Sequence, residues 1–125
     1  MKRILVVEDN RLERKLLLGI LREYLKDSVY IDEVTEGNSA LKYIRRKPYD
    51  LVITDLIMPK VEGVELIRKI KSESNTCNIL AVSGSNPYYL YLVKKLGIQG
   101  VFTKPIDKQK FLKQVGSILD SPHSN

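Results

Sequence analysis

The 125-residue chain holds one cysteine, one histidine and no tryptophan. A single cysteine excludes an intramolecular disulfide framework and any multi-cysteine metal site, so Cys77 reads as a free thiol suited to a reducing compartment. The only histidine, His123, sits in the polar stretch Ser121-Pro122-His123-Ser124-Asn125, where a histidine-based metal centre has no companions. Apolar runs such as Ile4–Val7 and Leu16–Leu18 fall far short of the roughly 20 residues that cross a bilayer. Met1-Lys2-Arg3 leads straight into a strand-like run and then acids, with no apolar secretory core, which predicts a cytoplasmic protein without a membrane span. A glycine loop that cradles phosphate is also missing after the first strand, where Glu8 and Asp9 stand instead, which argues against a nucleotide or flavin site.

Positive charge is in modest excess, with 21 Lys and Arg against 15 Asp and Glu. Those residues are spread a few per helix, as in Arg11/Arg14/Lys15, Lys42/Arg45/Arg46/Lys47 and Lys108/Lys110/Lys113. Spacing of this kind describes solvated helix faces and predicts no direct nucleic-acid binding by this chain.

What is present is a regular alternation. Short β-branched runs at Ile4–Val7, Tyr30–Val34, Leu51–Thr54, Ile79–Val82 and Gly100–Thr103 have the length and composition of buried strands. Helical patterns lie between and after them, at about Arg11–Leu25, Ser39–Arg46, Val64–Lys71, Pro87–Leu96 and Lys108–Leu119. Asn10, Asn86 and Asp107 serve as N-caps, and Gly97 stands just past the fourth helix. The apolar spacing predicts a buried stripe of Leu12, Leu16, Leu17, Ile20, Leu21, Tyr24 and Leu25 on the first helix. The corresponding stripe on the fourth is Tyr89, Leu92, Val93 and Leu96. Strands alternating with helices mean right-handed crossovers, hence a parallel α/β sheet covered on both faces, with the ligand site beyond the carboxyl ends of the strands.

Those ends carry Glu8 and Asp9, then Asp55, then Ser83 and Gly84, then Lys104 and Pro105. Three carboxylates brought together repel one another unless a cation compensates. A hard divalent ion, Mg²⁺, suits oxygen ligands and a phosphate partner. With Mg²⁺ and Lys104 neutralising charge, one carboxylate becomes a nucleophile toward phosphorus, while the Ser83 hydroxyl and the Gly84 N–H offer donors to the phosphoryl oxygens. A true hydrolase fits less well, because no general acid or base beyond the metal carboxylates is evident.

The runs Ile4-Leu5-Val6-Val7-Glu8-Asp9-Asn10, Asp50-Leu51-Val52-Ile53-Thr54-Asp55-Leu56-Ile57-Met58-Pro59 with Glu62-Gly63, Val82-Ser83-Gly84 and Phe102-Thr103-Lys104-Pro105 together resemble the receiver domain of two-component response regulators. The resemblance covers about residues 2–120 and implies a flavodoxin-like, doubly wound five-stranded sheet in order 2-1-3-4-5 with five helices. It implies Asp55 as phosphoacceptor and Asp9, Asp55 and the Ile57 carbonyl as Mg²⁺ ligands, with Glu8 acting mainly through water. Ser83 becomes the hydroxyl switch, and Lys104, ahead of a cis Pro105, the phosphoryl partner. The implied phosphodonor is a histidine kinase or histidine phosphotransfer protein, and the reader of the signal is an effector protein or fused output domain. Residues 1–120 make the receiver unit, and 121–125 are a polar tail or the start of a linker.

Glu8 replaces the commoner Asp of the acidic pair, Ile57 gives an attacking water no polar group, and Val101 stands where the family usually carries an aromatic switch. By strand parity Phe102 faces the other side of the sheet, so it does not substitute. Output is therefore expected through helix four, whose Tyr88, Tyr91 and Lys95 make a candidate partner face. A phosphorylation-independent docking module of the same fold is the alternative.

Overall fold

A computed structural model of the chain describes residues 1–56, 63–73, 77–84 and 87–121, the side chains of 87–90 excepted. The described elements are β1 (Lys2–Val7), α1 (Arg11–Leu25), β2 (Val29–Val34), α2 (Gly37–Arg46), β3 (Leu51–Asp55), α3 (Gly63–Glu73), β4 (Asn78–Ser83), α4 (Pro87–Lys94), β5 (Gly100–Thr103) and α5 (Lys108–Asp120). All four strand pairings are parallel, and the sheet order is 2-1-3-4-5. This is the flavodoxin-like, doubly wound order that the resemblance implies.

Alternating side chains divide the core into two layers. Leu5, Val7, Val52, Ile79 and Ala81 pack beneath α2, α3 and α4, meeting Ala40, Leu41, Leu66, Ile67, Ile70 and Val93. Ile4, Val6, Leu51, Ile53, Leu80 and Val82 face α1 and α5, meeting Leu17, Leu18, Leu21, Phe111 and Val115. Central strands buried on both faces explain why they read as continuous apolar runs. Phe102 joins the second layer, 5.4 Å edge-to-face from Phe111, while Val101 packs on the first.

Two helix stripes differ from the spacing-based expectation. On α1, Leu12, Leu16 and Tyr24 are 68%, 60% and 55% exposed, and Leu18 is buried in their place. Leucines occupy more than one face of α1, so periodicity leaves its rotation open; β1 settles it by drawing Leu17, Leu18 and Leu21 onto Ile4 and Val6. On α4, Leu92 is exposed while Val93 is buried, and the helix stops at Lys94 rather than Leu96. Its last turn tightens through Lys95 N–H to Leu92 and Leu96 N–H to Val93 bonds before Gly97, whose φ is +76°. Helix α2 starts at Gly37, two residues before Ser39. Asn86, Tyr89's side chain and His123 lie outside the described residues. Among the described residues no helix is long and apolar enough to cross a membrane.

Candidate functional site

Each contributor is delivered by the end of a strand. Glu8 follows β1, Asp55 is the last residue of β3, Ser83 the last of β4, and Lys104 follows β5. The register aligns these ends: Asp55 lies beside Val82 and Ser83 beside Thr103, and the Lys104 N–H donates to the Ser83 carbonyl at 3.0 Å. The Lys104–Pro105 peptide bond is cis.

The Lys104 ammonium is held by three carboxylates. Its Nζ lies 2.9 Å from Glu8 Oε1, 3.0 Å from Asp55 Oδ2 and 2.8 Å from Glu13 Oε1. Burial works against its charge, but the hydrogen bonds to Glu13, Glu8 and Asp55 outweigh that and hold its pKa above the ordinary lysine value. Glu8 is only 1% exposed. Burial pushes its carboxyl up to about 7 against the opposing Lys104 hydrogen bond, and the Asp55 charge adds to the rise. Glu8, Asp9 and Asp55 each place an oxygen within 4.8 Å of the others, so this trio can hold a metal ion.

The turn that presents the acidic pair is fixed from several sides. The Asn10 N–H donates to Glu8 Oε2 (3.2 Å), and Asn10 Oδ1 accepts the Glu13 N–H (2.9 Å) as the N-cap of α1. Arg14 donates from one nitrogen to the Glu8 carbonyl and from another to Glu33 on β2, each at 3.0 Å. On the β3 side, Gly63 N–H bonds the Leu56 carbonyl at 2.9 Å, and a Cβ at Gly63 would overlap the Asp55 carbonyl oxygen and the Leu56 backbone. Those obstacles are main chain, so Gly63→Ala is expected to cost on the order of 1–3 kcal/mol in urea denaturation, like other overpacked sites. It should also shift the Asp55 amide resonance.

A cavity of about 460 Å³ opens above the cluster, lined by Asp9, Asn10, Glu13, Asp55, Ser83, Gly84 and Lys104. A second, of about 480 Å³, adjoins it between α1 and the segment that joins β5 to α5. Leu16, Leu17, Ile20, Val82, Pro105 and Ile106 line it, with Glu8, Glu13 and Lys104 at its edge. Sequence-expected residues Glu8, Asp9, Asp55, Ser83, Gly84 and Lys104 thus meet at one sheet edge. Ile57 and the side chain of Tyr88 lie outside the described residues. Tyr91 stands 54% exposed on α4 with the Lys95 ammonium 4.8 Å from its ring centroid. Glu13 was missed. Its signal was present, an acid in the first turn of the helix that follows the acidic pair, but that position reads equally as a helix-dipole partner.

The chain matches the family model of the response regulator receiver domain over residues 4–116, and it belongs to that family. Among curated proteins it is 32% identical, over 95% of this chain and 15% of the relative, to the 3',5'-cyclic-nucleotide phosphodiesterase regA of Dictyostelium discoideum. It is 30% identical, over 95% of this chain and 53% of the relative, to the response regulator ArlR of Staphylococcus epidermidis. The chain therefore spans about half the length, or much less, of these curated relatives. A response regulator receiver protein from Pseudomonas putida superposes with a TM-score of 0.83 at 28% identity, covering 93% of this chain and 96% of that one. The signal receiver domain of an HD domain-containing protein from Pseudomonas fluorescens Pf-5 shares the fold, with a TM-score of 0.88 at 21% identity and 99% and 98% coverage.

Proposed function

We propose that this receiver domain takes a phosphoryl group onto Asp55 from a histidine kinase or histidine phosphotransfer protein in a Mg²⁺-dependent reaction in the cytoplasm. The modified domain, residues 1–120, then presents an altered surface to an effector or output domain. The observation that carries this reading is a carboxylate, Asp55, at the floor of an open cavity, 3.0 Å from an ammonium and beside two further carboxylates.

The donor set fits Mg²⁺, because Glu8, Asp9 and Asp55 offer hard oxygens within 4.8 Å of one another, while the Lys104 ammonium is shared by Glu8, Asp55 and Glu13. Glu8, Asp9 and Asp55 would hold the ion, with the Ile57 carbonyl expected from the family pattern. Bound there, it supplies positive charge to the phosphoryl oxygens. An Asp55 oxygen forms the new bond to phosphorus while the bond from phosphorus to the donor imidazole nitrogen breaks, its electron pair leaving with the imidazole. Lys104 orients one equatorial oxygen, and the Ser83 hydroxyl and Gly84 N–H serve the others. The buried Ser83 moving toward that oxygen would pull on the start of α4, whose Val93 shares a core layer with Val101. Tyr91 and Leu92 on the exposed side of α4, with Lys95 just past its end, are the face we assign to the downstream reader.

The test is intact-mass measurement after incubation with acetyl phosphate. One phosphoryl group is expected with Mg²⁺ and none with EDTA; no gain with Mg²⁺ would leave the phosphorylation-independent docking module as the better reading.

The same reading gives the apolar cavity a role. Leu12 and Leu16 are exposed on α1 and the cavity shares Glu13 and Lys104 with the Asp55 site, so a protein carrying phosphohistidine can seat apolar side chains there while its imidazole reaches Asp55. Leu16→Asp is expected to slow transfer from the cognate donor protein tenfold or more, on the scale of an interface anchor. Labelling by acetyl phosphate, which needs no docking face, should stay unchanged in the same variant.

A further inference from the structure

We infer that Glu13 is an exchangeable counter-ligand of Lys104 that competes with the incoming phosphoryl group and so restrains phosphorylation of Asp55. The inference rests on the proposed phosphoacceptor reading.

An ammonium has three N–H donors. In this structure three carboxylates stand within 3.0 Å of Lys104 Nζ: Glu8, Asp55 and Glu13. A phosphoryl oxygen therefore reaches Lys104 only if one of them yields its place. Glu8 is sealed in the core end of the cluster, its side chain 1% exposed, and it also accepts the Asn10 N–H. Asp55 supplies the oxygen of the new acyl phosphate and stays. Glu13 is different, because its side chain is 40% exposed on the first turn of α1 and opens onto the cavity above Asp55.

Local structure explains why Glu13 is available at all. A glutamate three residues after an N-cap commonly reaches back to the cap's own N–H. Here that N–H, on Asn10, already donates to Glu8, and Asn10 in turn caps the Glu13 N–H. The Glu13 carboxylate is thereby left to swing over the site, where it takes up Lys104 and adds a further negative charge on the path of an anionic donor.

Two consequences follow from that placement. Before phosphorylation Glu13 shares the lysine; during it, the growing negative charge repels Glu13 toward solvent. The cost of that displacement falls on the phosphorylated state and on the approach to it, which lowers both the rate and the extent of labelling.

The experiment compares phosphorylation time courses of the full chain with acetyl phosphate at saturating Mg²⁺ for wild type, Glu13→Gln and Glu23→Gln, at low and high ionic strength. Glu23 lies on the same helix and pairs with Lys108, so it controls for net charge. Glu13→Gln is expected to label about three- to tenfold faster than wild type at low salt, with the ratio shrinking as salt screens the half-exposed charge. Glu23→Gln should match wild type. Equal or slower labelling of Glu13→Gln, or equal acceleration by Glu23→Gln, overturns the inference while leaving Asp55 as acceptor. Absence of labelling in every protein overturns both.

Discussion

Asp55→Asn is expected to accept no phosphoryl group from acetyl phosphate and Mg²⁺ over a time in which the wild type is fully labelled. The amide has nearly the shape of the carboxylate and sits at a buried strand end, so the sheet and its register with β4 should persist. What disappears is the nucleophilic oxygen, and no neighbouring acid is placed to replace it. Glu8 is buried with its carboxylate on Lys104, and Asp9, exposed and within 4.8 Å of Asp55, is the residue that would hold the metal. The electrostatics give an independent readout. The Asp55 charge helps raise the Glu8 pKa, so its removal should lower that pKa from about 7. Carboxyl resonances followed by NMR across pH 5–8 report the change. Labelling of Asp55→Asn at the wild-type rate would move the phosphoacceptor elsewhere.

Much of this site was legible because strand ends are marked twice in the sequence, by the close of an apolar run and by the polar residue that follows. Glu8, Asp55, Ser83 and Lys104 all carry that double mark, and the parallel topology does the rest by placing four carboxyl ends on one edge. The strand parity that set Val101 and Phe102 on opposite faces was equally readable, because a period of two leaves no freedom. Helix rotation was harder. In α1 leucines at 12, 16, 17 and 18 satisfy more than one apolar stripe, and only the shape of the layer formed by Ile4, Val6 and Phe111 selects among them. The difference bears on the proposed docking role, since Leu12 and Leu16, assigned to the core by spacing, instead stand exposed, Leu16 in the lining of the apolar cavity.

Glu13 was illegible for another reason. Its link to Lys104 joins residues 91 positions apart and depends on where a long, flexible side chain turns once Asn10 has been taken by Glu8. Nothing in local periodicity encodes such a choice. The same holds for Tyr49, whose burial and hydrogen bond to Asp32 raise its pKa above the usual phenol value; burial likewise pushes the Cys77 thiol up to about 12. Cys77 accordingly behaves as a small buried apolar residue, whereas its isolation in the sequence implied only a free thiol.

Lys104→Ala tests the electrostatic design from the other side, and its effect should depend on pH. Without the ammonium, Glu8 stays buried next to Asp55 with no positive partner, and breaking a buried pair in this way typically costs about 3–5 kcal/mol. The cost arises only when Glu8 is ionised. A carboxyl whose folded pKa is raised contributes its full stability below its unfolded pKa and loses it as pH rises through the folded value. In the wild type that value is about 7, and deleting Lys104, whose hydrogen bond lowers it, sends it higher. The variant should therefore approach wild-type stability near pH 5, where Glu8 is protonated in both proteins, and fall furthest behind near pH 8 to 9. Mg²⁺ should narrow the gap at high pH, since a divalent ion held by Glu8, Asp9 and Asp55 restores positive charge to the cluster. Urea denaturation at both pH values, with EDTA or with Mg²⁺, separates these contributions. A deficit that is equal at pH 5 and pH 8 would mean that Lys104 stabilises the fold through its packing against the β5 end rather than by holding the Glu8 carboxylate in its ionised form.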